Sequence, residues 1–332
     1  MPNPLLRVED ALASARRVLV ATHITPDGDA VGSAAALARI AQHLGCEARL
    51  LLPGGMPPAF SWLSLSAAPA SRVSELDGFT PDLLAFVDCG DASRAGPELD
   101  AFVGQKRLPD TGWEHTRTLN IDHHLSNPLF ADINWVEADS AATGELVGRL
   151  AEHLGISLAG SLGEALYLAL VTDTGNFTYS NTGPACLGMA ARIVASGLDV
   201  AAFTDKSENT WRLERMHLWG RLFAEVTLHA HGAVARCAVP RSYLAERGLD
   251  NQDLEGLASW LRRIRGVRVS LFLREEGPAL CKISLRSMGD FDVRAVAALY
   301  GGGGHASAAG ANVELPLAEA AETVLREIES RL

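Results

Sequence analysis

Histidine and aspartate side chains recur at four places in the first 173 residues of the 332-residue chain. Each group follows an apolar run that is typical of a buried strand or helix. The groups are His23, Asp27 and Asp29 in T-H-I-T-P-D-G-D-A-V-G-S, Asp88 in V-D-C-G-D, Asp122, His123 and His124 in I-D-H-H, and Asp173 in T-D-T-G-N-F. Imidazole and carboxylate are ligands that Mn²⁺, Mg²⁺ and Zn²⁺ use in proteins. These residue types indicate a divalent-metal centre if the fold brings them together.

The segments between these groups predict such a fold. Apolar runs at 18–21, 48–52, 83–87 and 118–121 indicate strands, and helical patterns separate them. This alternation is typical of an α/β protein with a parallel sheet, in which the connections after the strands meet in one crevice. Four carboxylates gathered there would repel one another, and bound cations would offset that repulsion.

Taken singly, each group also has a purely structural interpretation. Asp29 stands where a helix N-cap is expected, and an isolated aspartate after a strand is often a turn residue. An isolated histidine is commonly a packed, partly buried residue. We interpret Cys89 and Asp91, which flank the Asp88 motif, as structural. The joint occurrence of the four groups is what favours a metal centre.

Composition limits the class of protein. The length favours two domains, no run of eighteen apolar residues is present, and the first twenty residues carry charges instead of a signal-peptide core. These features predict a soluble cytoplasmic enzyme with no membrane contact. Five scattered cysteines without a C-x-x-C pair indicate reduced packing residues. The net charge of −11 argues against long duplex nucleic acid as a partner, because its phosphates are held mainly by Lys and Arg.

The pattern changes in the second half. We predict an N-terminal domain at 1–197, a helical linker at 198–221 and a smaller α/β domain at 222–332. The last domain contains G-G-G-G-H-A-S-A-A-G at 301–310, preceded by Arg286 in S-L-R-S. Glycines let backbone N–H groups approach an anion closely, and Arg286 and His305 supply charged donors. The same stretch on its own also fits a flexible glycine loop with a surface histidine.

The four N-terminal motifs resemble those of the DHH phosphoesterases, in the family's order. The resemblance implies one metal ion held by His23, Asp27 and Asp88, and a second held by Asp29, Asp88, His123 and Asp173. It also implies that Asp122 orients ligands and that His124 faces the scissile phosphate. Two divalent ions, Mn²⁺ first with Mg²⁺ or Co²⁺ as alternatives, would then activate a water for in-line displacement at phosphorus.

The C-terminal stretch resembles the DHH-associated domain that holds the substrate over the metals. By this resemblance the active site lies in the cleft between an N-terminal parallel-sheet domain and a smaller α/β domain. The implied substrate-binding residues are Arg286, Ser287, Gly302, Gly303, Gly304 and His305.

Within the DHH phosphoesterases, this two-domain chain is similar to the bacterial nanoRNase/pAp-phosphatase group. The similarity implies hydrolysis of RNAs of two to five nucleotides to mononucleotides, and of 3′-phosphoadenosine 5′-phosphate (pAp) to AMP. A cyclic or linear dinucleotide phosphodiesterase (pApA, pGpG) is the alternative, and an inactive nucleotide-binding module belongs to a different class. The sequence leaves open which end of an RNA is attacked and whether the chain is a monomer or a homodimer.

Overall fold

The structure is a computed structural model that describes residues 3–105 and 111–332. The chain divides into two compact units, Met1–Asn209 and Thr210–Leu332. The strands of the first unit are β1 (Arg17–Ala21), β2 (Glu47–Leu51), β3 (Leu83–Val87), β4 (Arg117–Asp122) and β5 (Ile133–Val136). Its helices are α1 (Pro4–Ser14), α2 (Gly28–His43), α3 (Pro97–Gln105), α4 (Thr143–His153), α5 (Ser161–Asp173), α6 (Pro184–Ala195) and α7 (Val200–Ser207).

The first unit is built on a parallel sheet with strand order β2-β1-β3-β4-β5. The predicted parallel α/β architecture is therefore confirmed. All of β3 is buried, because its side chains alternate between two cores. Val87 packs with helices α2, α4 and α5 on one face, and Phe86 packs with Phe102 and Trp113 on the other. Helices on both faces leave the carboxyl ends of the strands as the edge where polar side chains collect.

Helix α2 starts differently from the structural interpretation given for Asp29. Asp27 is the N-cap, and its Oδ1 accepts from the backbone N–H groups of Asp29 and Ala30 at 3.1 Å. Asp29 lies one residue inside the helix and is completely buried. Its carboxylate is therefore free of the capping role and is directed into the protein.

The second unit is built on a mixed sheet of order β10-β11-β9-β8-β7-β6. Its strands are β6 (Thr227–His229), β7 (Val234–Val239), β8 (Val269–Gly277), β9 (Leu280–Ser287), β10 (Gly303–His305) and β11 (Ala308–Val313). Its helices are α8 (Leu213–Ala224), α9 (Arg241–Ala245), α10 (Leu257–Leu261), α11 (Val293–Ala298) and α12 (Leu317–Glu329). Helices α11 and α12 cover one face of the sheet, while α8 and α10 pack with β7 on the other.

Two predicted helices are interrupted. The helical linker predicted at 198–221 is α7 and α8 with a break at 208–212. Phe203 of α7 packs in the first unit, and Leu218 of α8 packs in the second. The sequence pattern also predicts one helix near 250–264, and the structure has instead a short 3₁₀ turn, Asn251–Leu254, followed by α10. Gly256 separates them with φ of 89°, a left-handed conformation that ends a helix.

All five cysteines are buried and unpaired, as predicted. In the part of the chain that the structure describes, no single helix combines the length and apolar composition of a membrane span. Helices α6 and α7 pass that test only as a pair, and they are bent by 108° relative to each other.

The first prediction concerns the close packing of α2 on α5. A Cβ atom at Gly32 would lie 2.3 Å from the carbonyl oxygen of Ala165, so Gly32→Ala forces the two helices apart. We expect this overpacking to lower the free energy of unfolding by about 1–3 kcal/mol. Gly104→Ala in α3 is the matched control, because none of the described residues has an atom within 4 Å of its Cβ position. Denaturant unfolding measures both; equal stability of the two variants would contradict the packing argument.

Candidate metal centre

The aspartates and histidines of the four motifs converge within the first unit. Donor atoms of His23, Asp27 and Asp88 lie within 4.8 Å of one another, and so do those of Asp29, His123 and Asp173. A third group with the same spacing consists of Asp88, His123 and His124. Asp88 thus joins the His23 side of the cluster to the His123 side.

Asp88 owes its position to the end of β3. Its φ of 52° is a left-handed conformation that a non-glycine residue rarely adopts, and its N–H donates to the carbonyl of Ile121 at 3.1 Å. This turn directs the carboxylate into the cluster. Asp88 Oδ2 then lies 3.6 Å from His23 Nε2, and Asp88 Oδ1 lies 3.6 Å from His123 Nε2.

Asp29 is held by the first turn of α4. The backbone N–H groups of Thr143 and Gly144 donate to its two carboxylate oxygens at 2.7 and 2.9 Å. The Ser33 hydroxyl adds a third hydrogen bond at 2.9 Å. Thr143 also donates from Oγ1 to Asp88 at 3.2 Å. A helix N-terminus favours anions, so α4 fixes two of the carboxylates.

The tautomers of two histidines suit cation binding. Nδ1 of His23 lies 3.0 Å from the carbonyl of Ile24, and Nδ1 of His123 lies 3.2 Å from the carbonyl of Ser140. A carbonyl only accepts, so each Nδ1 carries the proton. In the neutral ring Nε2, which faces the carboxylates, then presents a lone pair, as in metal-ligating histidines.

Electrostatics also favour cations. Burial and the charge of Asp173 raise the pKa of Asp29 to about 8, and burial and the charge of Asp29 raise the pKa of Asp88 well above its usual range. Burial alone would lower the pKa of His123, but its hydrogen bond to Asp173 and the charge of Asp29 raise that pKa to about 10. Repulsion among buried carboxylates is what a divalent cation relieves. The donor set therefore fits divalent metal ions.

His124 has different partners. Its Nδ1 lies 2.7 Å from the buried carboxylate of Asp122, and its Nε2 lies 3.3 Å from the guanidinium of Arg94. Because arginine only donates, Nε2 accepts and Nδ1–H donates to Asp122. Asn127 also donates to Asp122, at 2.6 Å. Burial works against ionisation of Asp122, but the hydrogen bonds from His124 and Asn127 outweigh it and lower the pKa.

The residues that position the metal-centre side chains lie outside the four sequence motifs and were not predicted. They are Ser33, Arg94, Asn127, Ser140, Thr143 and Gly144. The sequence pointed to some of them. Arg94 is the sole cation in the loop that begins with the Asp88 motif, and Thr143 and Gly144 stand at the start of a helix. Which aspartate each of them contacts depends on packing between distant segments.

In the second unit, the glycine-rich stretch contributes a strand to a hairpin at the edge of the sheet, and is not the flexible loop that its sequence alone also fits. Gly303–His305 forms β10, paired antiparallel with β11. A Cβ atom at Gly302 or Gly304 would lie 2.1 or 2.4 Å from a carbonyl oxygen of residues 308–310, so pairing with β11 requires both glycines. Gly303 has open space around it.

Arg286 and His305 fall on one row across three strands. Ala308 of β11 pairs with Arg286 of β9 on one side and with His305 of β10 on the other. Directly paired residues share a face of a sheet, so these two side chains emerge from the same face. Ser287 does not fit the predicted substrate contact, because its hydroxyl is buried and donates to the carbonyl of Phe291 at 2.6 Å.

Comparison with known proteins identifies the family. A model described as "DHH family, N-terminal domain" matches residues 17–170, and one described as "DHHA1 domain" matches residues 232–332. The chain is 33% identical to the bifunctional oligoribonuclease and PAP phosphatase NrnA of Thermus thermophilus, covering 95% of this chain and 90% of the relative. The chain belongs to the DHH family. The NrnA of Bacillus subtilis is 26% identical, with 89% of each protein covered.

A solved structure supports the DHH fold along the whole chain. It is described as an exopolyphosphatase-related protein from Bacteroides fragilis, and it superposes with a TM-score of 0.88 at 25% identity. The match covers 99% of this DHH-family chain and 96% of that protein. The predicted family and fold class are therefore confirmed.

The second prediction tests the metal centre. Adding Mn²⁺ to chelator-treated protein should raise the melting temperature, since a ligand at about one hundred times its Kd stabilises by about 2.7 kcal/mol per site. Asp88→Asn should abolish most of this rise and reduce bound metal measured by atomic analysis. Asp91→Asn is the control, because Asp91 instead accepts from the N–H and hydroxyl of Ser93. Full metal retention in Asp88→Asn would refute the assignment.

Proposed function

We propose that this DHH-family chain is a two-metal phosphoesterase that hydrolyses RNAs of two to five nucleotides to mononucleotides and pAp to AMP. The observation that carries the proposal is that Asp88 belongs to one donor group with His23 and Asp27 and also lies 3.6 Å from His123 of a second group. It occurs in a chain similar over nearly its whole length to proteins named as oligoribonucleases and PAP phosphatases. The same centre suits both substrates, because each reaction is displacement at a phosphate ester.

The proposed ligand sets follow two of the three donor groups, with Asp88 added to the second because it lies 3.6 Å from His123. His23, Asp27 and Asp88 would hold one ion, and Asp29, Asp88, His123 and Asp173 would hold the other. When bound, two divalent cations lower the pKa of a water and stabilise charge on phosphoryl oxygens. Mn²⁺ is the proposed ion, because imidazole and carboxylate donors without thiolate suit it.

Arg94 and His124 supply the proposed contacts to the scissile phosphate. Asp122 and Asn127 fix the His124 ring, while Arg94 lies on its exposed edge. A guanidinium there offers N–H donors to anionic oxygens that gain charge during displacement. These side chains act without forming a covalent intermediate with the substrate.

The third prediction separates Arg94 from the metal ligands. Arg94→Ala should keep its bound metal and lose about 2–4 kcal/mol of transition-state stabilisation, seen mainly in kcat. Arg94→Lys should recover part of the loss, because it keeps the charge without the planar fork. Arg72→Ala, a change at a highly exposed arginine, should have wild-type kinetics. A normal kcat in Arg94→Ala, or loss of metal from it, would exclude this role.

We further propose that the C-terminal unit grips the substrate through Arg286, His305 and the Gly302–Gly304 backbone. The shared row of Arg286 and His305 supports this assignment, since it places a guanidinium and an imidazole on one face. The exposed edge of β10 adds backbone groups beside them.

The fourth prediction tests this grip. Arg286→Ala and His305→Ala should retain metal and lower kcat/KM by an amount equivalent to about 2–4 kcal/mol, the scale of a charge-assisted contact. Arg294→Ala on α11 is the control, since that arginine is paired with Asp292 near the surface. Atomic metal analysis accompanies the kinetics. A variant of either residue that loses metal would point to a role in the metal centre instead.

The fifth prediction tests the proposed substrates. The chain has 29 basic and 40 acidic residues, so a long RNA would bring most of its phosphates towards an acidic surface. We expect kcat/KM to be highest for pAp and RNAs of about two to four nucleotides and to decline beyond about five, with shallow salt dependence. The panel contains pAp, dinucleotides, a long RNA and pyrophosphate, each with Mn²⁺ at two salt concentrations. Equal efficiency on the long RNA with a steep salt slope would contradict the proposal.

A further inference from the structure

One short segment, residues 140–144, supports two members of the donor group formed by Asp29, His123 and Asp173. The carbonyl of Ser140 accepts from Nδ1 of His123 at 3.2 Å. At the other end of the segment, two backbone N–H groups in the first turn of α4 donate to the carboxylate of Asp29. The positions of both ligands therefore depend on where this segment lies.

Asn181 joins this segment to the third member of the group. Its Nδ2 donates to the carbonyl of Ala141 at 2.9 Å and to the carbonyl of Asp173, the last residue of α5, at 3.0 Å. Carbonyls only accept, so both amide hydrogens are used. Oδ2 of Asp173 lies 3.1 Å from Nε2 of His123. The amide thus connects the two parts of the chain that bring these facing side chains together.

The backbone between Asp173 and Asn181 is strained. Gly175, Asn176 and Phe177 all have positive φ, at 53°, 57° and 61°. This left-handed conformation is uncommon for asparagine and costs free energy at a bulky residue such as phenylalanine. The turn brings the chain back to the end of α5, where the side chain of Asn181 reaches the carbonyl of Asp173. Strain that a fold retains in this way is a reason to look for a functional contact nearby.

Asn181 does not serve the packing of the first unit. The residue is exposed to solvent, so its truncation leaves no cavity in the core. Water molecules can satisfy the two carbonyls that its amide contacts. Separate water molecules cannot hold those two carbonyls at a fixed separation, whereas one rigid amide group can. The contribution that is specific to the asparagine is therefore the distance between the two backbone segments.

We propose that Asn181 is a positioning residue for the metal ion on the His123 side of the centre. It holds segment 140–144 and the end of α5 at a fixed separation, and so fixes the distance between the ligands that these two elements support or carry. His23 and Asp27, which belong to the ion on the His23 side, lie on neither element. The inference rests on the proposed function, because it takes two bound ions as given.

Calorimetric titration of the chelator-treated full chain with Mn²⁺ tests the proposal. Wild-type protein should bind two ions per chain, and Asn181→Ala should bind one of them at least about tenfold more weakly. Asn134→Ala is the matched control, because the Asn134 amide also donates to two backbone carbonyls, those of Leu129 and Ala131, at 3.2 and 2.7 Å. The loop that contains these carbonyls carries none of the proposed metal ligands, so the control should bind both ions as wild type does.

Melting temperatures separate positioning from a general loss of stability. In chelator, Asn181→Ala and Asn134→Ala should melt at similar temperatures, since each variant loses two hydrogen bonds. Added Mn²⁺ should raise the melting temperature of Asn134→Ala as much as that of wild type. It should raise the melting temperature of Asn181→Ala by less, because the variant binds one ion more weakly.

Double variants identify which ion depends on Asn181. In Asp173→Asn, which keeps the ion on the His23 side, adding Asn181→Ala should change Mn²⁺ affinity by less than about twofold. In His23→Ala, which keeps the ion on the His123 side, the same addition should weaken binding by at least about tenfold. Asn181→Asp should weaken the same ion, because a carboxylate cannot donate to a carbonyl, although its charge alone would attract a cation.

Three results would overturn the positioning role. They are normal binding of both ions by Asn181→Ala, equal losses in the Asp173→Asn and His23→Ala backgrounds, and tighter Mn²⁺ binding by Asn181→Asp. A wild-type chain that binds fewer than two Mn²⁺ ions would instead refute the two-metal assignment, and this inference with it.

Discussion

The fold of the first unit has to accommodate aspartates that lie close to Asp88 and repel one another. Asp29 and Asp88 are both buried, and Asp173 lies close enough to raise the pKa of Asp29. Buried carboxylates without compensation destabilise a fold, so surrounding groups must offset them. Here α4 contributes backbone N–H donors, two histidines contribute imidazole, and the arrangement is completed by divalent cations in the proposed function.

That constraint explains features that packing alone leaves unexplained. The left-handed conformation at Asp88 costs free energy, yet it directs the carboxylate towards His23 and His123. The close approach of α2 and α5 at Gly32 stabilises the helix pair that carries Asp29 and Asp173. A strained backbone and tight helix packing therefore both occur in the elements that carry these aspartates.

In the second unit, the glycines show why a glycine-rich sequence does not by itself identify an anion-binding site. Gly302 and Gly304 are required by the pairing of β10 with β11, so the glycine-rich stretch would be needed even without an anionic ligand. The proposed substrate contact depends on the strand register, which sets Arg286 and His305 on one row. Ser287, adjacent in sequence, is turned into the core and serves the fold instead.

The sequence by itself determined the parallel α/β architecture and the residue types of the metal centre, because hydrophobic periodicity and motif order are local properties of the chain. It did not determine that Asp27 caps α2 while Asp29 is buried, or that Gly256 interrupts the predicted helix at 250–264. The first outcome depends on the partners that Asp29 finds in a distant segment, and the second depends on the left-handed conformation of Gly256. Arg94, Ser140 and Thr143 belong to the centre only through contacts across many residues of sequence, which only the tertiary structure decided.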